Sequence, residues 1–249
     1  MHNTPFQTFR RIAFITGLLF LGSAQAHHVW IEQDGSGTGN AVLYFGEFGD
    51  NLRETSPGLL DKFVKPVGRL IGAEGARPLL PTKSAQGFVL PARAAQGESI
   101  VAEETAYPSF ERKEGGKSTR GIYVPAARLV AGFGAQPPAL TLDLVPTGQQ
   151  TGDGVELQAF YEGKPLPKAK VSIVTAAGWS QEHQTDAQGK FKVSLPWQGS
   201  YVLEIKHTGG PGERSGEKYD SASYVTSLTL MQAQGLVAPP APLPATPNK

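Results

Sequence analysis

The chain contains no cysteine. That excludes a disulfide framework, thiolate catalysis and every cysteine-based zinc or iron–sulfur site. Charge of one sign is also lacking: 23 Lys and Arg face 22 Asp and Glu. Nucleic-acid binding and attachment to an anionic membrane surface both need clustered basic excess, so neither is expected. No run approaches the roughly 18 apolar residues of a membrane-spanning helix. The G-x-S-x-G elbow, the G-x-x-x-x-G-K-[ST] phosphate loop and the G-x-G-x-x-G fingerprint are absent as well, so no catalytic residue and no nucleotide cofactor is assigned. A 3.6-residue hydrophobic period is nowhere sustained.

What is present is dense punctuation, 30 Gly and 20 Pro in 249 residues. Between these breaks lie short alternating runs, the pattern of a sandwich or barrel. Val155–Tyr161, Lys170–Thr175, Lys190–Leu195, a strand from Gly199 and Ser223–Met231 alternate well. They predict an antiparallel sandwich at 155–232. The first half, 27–146, is less regular, with strands expected at Val29–Ile31, Ala41–Phe45, Phe88–Leu90, Ser99–Glu103 and Leu140–Val145. Ser56-Pro57 before Gly58–Phe63 predicts one short helix near 56–65. Residues 147–154 read as a linker, and 233–249 as a Pro/Ala-rich disordered tail. The expected fold is all-β: two β-sandwich domains, Ig-like or transthyretin-like.

Residues 1–26 read as a cleaved signal peptide. Arg10 and Arg11 precede the apolar Ile12–Leu21, and Ala24-Gln25-Ala26 has the small-x-small form of a cleavage site. Removing them takes away two arginines and no acid, leaving 21 basic residues against 22 acidic ones. The expected location is periplasmic. Cleavage after Ala26 leaves His27 as the amino terminus, with His28 next. A free α-amine has a pKa of about 7.7–8.0 and yields its proton to a metal at little cost. Amine, amide and imidazole nitrogens together suit Ni(II) or Cu(II). The candidate metal ligands are therefore His27 and His28, completed by His183 or His207, the histidines that remain. Because ligation needs neutral imidazole, affinity is expected to fall below about pH 6. Glu103-Glu104 reads as a solvated pair, and Trp30, Trp179 and Trp197 as packing residues.

Ala26-His27-His28-Val29-Trp30-Ile31-Glu32 resembles the mature start of the DUF4198 family, in which Ala-His-x-x-Trp is the usual opening. Phe45-Gly46-Glu47, Asn51-Leu52-Arg53-Glu54 and Ser56-Pro57-Gly58 are similar to it too. So are Gly163-Lys164-Pro165-Leu166, Ala169-Lys170-Val171, Thr185-Asp186-Ala187-Gln188-Gly189, Leu195-Pro196 and Gly199-Ser200-Tyr201. The Thr-Asp-Ala-x-Gly turn and the strand after it also resemble carboxypeptidase-regulatory-like and transthyretin-like sandwiches. The resemblance implies a periplasmic accessory role in nickel or cobalt uptake, with His27 and Trp30 at matching positions. It implies a divalent metal ion as cargo (nickel or cobalt, with copper next) and a membrane metal transporter as partner. Two other classes stay open: an envelope interaction or scaffold module that binds no metal, and a histidine-brace copper enzyme.

Overall fold

The computed structural model describes residues 27–33, 39–152 and 154–248, without the side chain of Glu114. The expected signal peptide lies outside the described residues. In chain order the strands of the first half are β1 (His28–Glu32), β2 (Ala41–Glu47), β3 (Leu52–Arg53), β4 (Pro66–Gly72), β5 (Gly75–Leu79), β6 (Thr82–Lys83), β7 (Phe88–Leu90), β8 (Ser99–Glu104), β9 (Phe110–Glu114) and β10 (Lys117–Val130). The second half adds β11 (Leu142–Thr151), β12 (Gly154–Tyr161), β13 (Lys164–Pro165), β14 (Lys170–Thr175), β15 (Ser180–Gln184), β16 (Lys190–Ser194), β17 (Gly199–Gly209), β18 (Gly212–Arg214), β19 (Glu217–Tyr219) and β20 (Ser221–Gln232). The expected helix near 56–65 is a single 3-10 turn, Leu59–Lys62.

The all-β, sandwich-like expectation holds, and the halves are joined through one sheet. Nine strands run in the order β15-β14-β17-β20-β10-β8-β4-β5, with β9 also on β10. The last strand, β20, lies between β17 and β10, antiparallel to the first and parallel to the second. Successive side chains on a strand point to opposite faces, so residue parity reveals what each face covers. Tyr201, Leu203, Ile205, Leu228 and Leu230 pack with Leu142, Leu144, Val155, Leu157, Phe191 and Val193. That places the four-stranded sheet of β11, β12, β13 and β16 on one face. On the other face Ala127 and Leu129 of β10 pack with Val29, Ile31, Leu43, Phe45, Phe88 and Leu90. There the five-stranded sheet of β1, β2, β3, β6 and β7 covers the β10 side. Two outer sheets thus sit on opposite faces of the central one, and offset from each other. Beyond β1, the face of β14 and β17 that carries Ser172, Val174, Val202 and Glu204 lies partly open.

Residues 147–151, expected as linker, are strand: β11 runs on to Thr151 and pairs with β12 through a bulge between Pro146 and Gln150. Gly148, at φ 84°, serves this irregularity, so the polar, glycine-rich composition marks a kinked ladder. A buried ion pair ties β10 to β11. Arg128 and Asp143, both fully buried, meet at 2.6 Å, and Asp143 also accepts from the amides of Ala139, Leu140 and Leu144. Among the described residues the tail has no helix or strand after residue 232 but is anchored: the Gln198 amide donates to Leu236 O, Asn51 Nδ2 to Pro242 O, and the Ala245 amide to Asn51 O. Glu104, expected to be solvated, is fully buried; its carboxylate accepts from the amides of Lys65 and Ala106. The loop it caps would otherwise leave buried donors unpaired.

Candidate functional site

β1 is an edge strand, and its first residues sit where the five-stranded sheet ends and the open face of β14–β17 begins. Its parity sorts the side chains: Val29 and Ile31 go to the core, whereas Trp30 packs with Phe48 and Val202. His28 shares the parity of Trp30. Two glycines let backbone close around this corner. A Cβ on Gly46 would collide with Leu52 O, so its absence lets β3 pair tightly with β2 and brings Glu47 and Glu54 to one place. A Cβ on Gly49 would come within 2.5 Å of Val174, so glycine there lets the turn after β2 rest on β14.

His27 stands between two carboxylates. Its Nε2 is 2.5 Å from Glu54 Oε1 and its Nδ1 is 3.2 Å from Glu47 Oε1. Tyr123 donates its hydroxyl to the His27 carbonyl at 3.0 Å. The tail ends here as well: the Asn248 amide and side chain donate to Glu54 at 3.0 and 2.6 Å. His28 is 8% exposed, and its Nδ1 lies 3.6 Å from Glu204 Oε2 and 3.9 Å from Glu47 Oε2. His28 Nε2 and Glu204 Oε2 are buried without a protein hydrogen-bond partner. Lys206, on the same face of β17, pairs with the other oxygen of Glu204 at 2.9 Å.

Burial dominates the electrostatics. It lowers the pKa of His28 to about 4, with smaller contributions from the Lys206 and His27 charges. The ring is therefore neutral, and a competent ligand, well below the pH 6 expected for an ordinary imidazole. Burial raises Glu47, with His27 opposing and Glu204 reinforcing. Burial raises Glu204 too, opposed by Lys206. Burial likewise raises the Tyr123 phenol, which stays a hydrogen-bond donor.

The sequence groups four histidines in one set; the structure brings two of them together. His27 and His28 lie side by side. His183 pairs with Val171 and its ring lies 5.7 Å from that of Phe191. His207 pairs with Tyr224 and stacks on Tyr161 at 4.1 Å. Val171 and Phe191 belong to the core beneath the four-stranded sheet, as do their neighbours Tyr161 and Tyr224. His183 and His207 thus occupy the face of the central sheet opposite His28. Their place beside His27 and His28 is taken by carboxylates that residue types alone did not single out. Glu47 and Glu54 were visible within the Phe-Gly-Glu and Asn-Leu-Arg-Glu stretches. Glu204 was visible as an acid on the non-core parity of β17, two residues before Lys206.

Among the described residues no three His, Asp or Glu side chains form a ready-made metal centre. His27 Nε2 is engaged by Glu54, whereas its Nδ1 lies 3.2 Å from Glu47 Oε1, which makes no hydrogen bond. The 3.6 and 3.9 Å separations at His28 exceed the roughly 3.4 Å between ligands of a tetrahedral ion with ~2.1 Å bonds. The carboxylates stand a few tenths of an ångström outside coordinating positions. Next to them lies a cleft of about 310 Å3, lined by His28, Glu47, Asp50, Ser172, Glu204 and Lys206 among others.

The site defines an all-β protein with a histidine–carboxylate cluster set between the edge of a five-stranded sheet and the open face of the central one. The model of the family described as Domain of unknown function (DUF4198) matches residues 24–209, and the chain belongs to that family. No curated protein matches it. Among solved structures, dimeric latent PorU from Porphyromonas gingivalis is 14% identical, with a TM-score of 0.19, over 83% of this chain and 20% of that one. The chain spans about a fifth of that protein's length, and the likeness is too weak to bear on fold or activity. Among the described residues no helix is long and apolar enough to cross a membrane.

Proposed function

We propose that this is a periplasmic binding protein for a divalent transition-metal ion, nickel or cobalt first and copper next, that passes its cargo to a membrane transporter. The grip is the His27–His28 end of β1, with the His27 α-amine freed by cleavage and Glu47 and Glu204 as flanking carboxylates. One observation carries this reading. His28 is buried and neutral, its Nε2 has no protein partner, and two carboxylates, the buried Glu47 and the partly buried Glu204, approach its other nitrogen. An imidazole packed for structure alone would be expected to find a hydrogen bond, because an unmade one costs about 1–3 kcal/mol. Imidazole with carboxylate is a donor set for late first-row ions. The role is ligation, with no catalytic step.

Calorimetric titration with Ni(II), Co(II) and Cu(II) tests it. Protein beginning at His27 is compared with protein carrying one extra N-terminal alanine, and with His28→Gln. The reading requires at least tenfold weaker binding in both variants. Equal affinity in the alanine-extended protein removes the amino terminus from the site. Equal affinity in His28→Gln removes the imidazole.

A further inference from the structure

The tail that follows β20 returns to the His27 side of the site. It is held first at Leu236, whose amide donates to Pro196 O. It is held next at Asn51, whose side chain donates to Pro242 O and whose carbonyl accepts from the Ala245 amide. Asn248 then reaches Glu54. Glu54 is fully buried; one of its carboxylate oxygens meets His27 Nε2 at 2.5 Å, and both accept from Asn248. A buried carboxylate needs donors, and here the tail supplies them in the place that water would take at an open site. The side-chain nitrogen of Asn248 is also 3.1 Å from His27 Nε2. A Cβ on Gly58 would come within 3.3 Å of Asn248 O, so glycine there gives the tail room to sit this close.

What holds the tail is polar and slight. Leu236, Val237 and Leu243 are 65%, 86% and 90% exposed, so none of them anchors it by burial. Five prolines fall between Leu236 and Asn248. Proline lacks the N–H that a ladder requires and fixes its own φ. The segment therefore does not add to a sheet, yet is ordered at reduced entropic cost. With few buried apolar contacts, such a segment opens without disturbing the sheets beneath it. Its seat, from Asn51 to Gly58, lies inside the family match at 24–209, and the tail lies outside it.

We propose that residues 242–248 are a strap that closes the site from the His27 side. While Asn248 holds Glu54, access to the His27 imidazole is shut, and whatever takes that ring must first displace the strap. The identity of the cargo rests on the metal-binding reading above; the gate rests on the tail contacts.

Nuclear magnetic resonance of protein beginning at His27, with a neutral gadolinium chelate as solvent probe, reads the gate without any cargo. In a variant lacking residues 242–249, relaxation enhancement at His27 Hε1 should rise at least threefold relative to that at His207, which lies across the central sheet. The amide shifts of β8 and β14 should stay in place. Asn248→Ala, which keeps the rest of the tail, should move His27 in the same direction. Stopped-flow tryptophan fluorescence then follows Ni(II), whose association should be at least tenfold faster in the shortened protein. Unchanged exposure of His27, or equal nickel association rates, overturns the strap and leaves the metal site standing. Nickel bound by neither protein overturns the metal-binding reading, and the relaxation comparison then decides the strap by itself.

Discussion

Acidification should unfold this protein through His28, by an amount its burial sets. In the folded chain the ring titrates at about 4, against 6.5 for an exposed histidine. Its charged form is therefore favoured by unfolding. The stability it allows is fully present above pH 6.5 and is lost as pH falls from there towards 4. Linkage puts the loss at about 2 kcal/mol by pH 5 and about 3 kcal/mol near pH 4, at ~1.4 kcal/mol for every tenfold change in proton affinity. The groups facing the ring pull the other way. Glu47 and Glu204 have raised pKa values, so they take up protons in the folded state first and regain stability as pH falls. A single pH profile mixes these effects; comparison with His28→Gln, which keeps both carboxylates, separates them. Urea unfolding of both proteins, followed by tryptophan fluorescence at pH 7.5, 6 and 5 with chelator present, is the assay. The gap in stability between wild type and variant should change by about 2 kcal/mol between pH 7.5 and 5. Parallel profiles would show that His28 is not held neutral by burial, and the case for a ready ligand would go with it.

Other perturbations have equally definite outcomes. Asp143→Asn strands a fully buried guanidinium and should cost about 3–5 kcal/mol in chemical denaturation, because half of a buried pair is worse than none. Gly49→Val places side-chain atoms where Val174 already sits; it should lower thermal stability and weaken metal binding together, while Gly134→Ala, in open space, changes neither. Deleting residues 242–249 removes the three Asn248 contacts to Glu54 and His27. Proton exchange at the Glu54 amide, which donates to Phe45 O, should then quicken at least tenfold by hydrogen–deuterium exchange, with the core amides of β17 unchanged. Tyr123→Phe loses the hydrogen bond to the His27 carbonyl, for a cost of about 1 kcal/mol.

Much of the fold was legible because period-two alternation reports a face buried on one side. Strands β1, β2, β7, β8, β12, β14, β16, β17 and β20 were all foreseen near their observed limits. β10 was not, and it is the central strand of the first half. Its sequence holds Gly121, Pro125 and Arg128, all poor signals for a paired interior strand. Pairing explains the proline: β9 pairs with β10 at residues 117–121 and β8 at 126–130, so Pro125 falls in the gap between them. Arg128 is tolerated because Asp143, which arrives from β11, neutralises it. β15, Ser180–Gln184, is polar throughout because it is an edge strand. Of the candidate site, His27 and His28 were singled out by the Ala-Gln-Ala sequence that precedes them. Its carboxylates were not, because Glu47 and Glu54 reach His27, and Glu204 reaches His28, only through pairings between separate strands, such as β3 on β2 and β17 on β20. Local patterning carries no record of such closures.

The position of β20 has a consequence for how the molecule comes into being. A ribosome delivers β1 first and β20 nearly last, yet β20 is the plank on which β17 and β10 both rest. Until it arrives, the wall bearing Glu204 has no fixed relation to the wall bearing His28. The corner where His28 meets Glu47 and Glu204 is therefore closed by a strand that places no side chain in its lining.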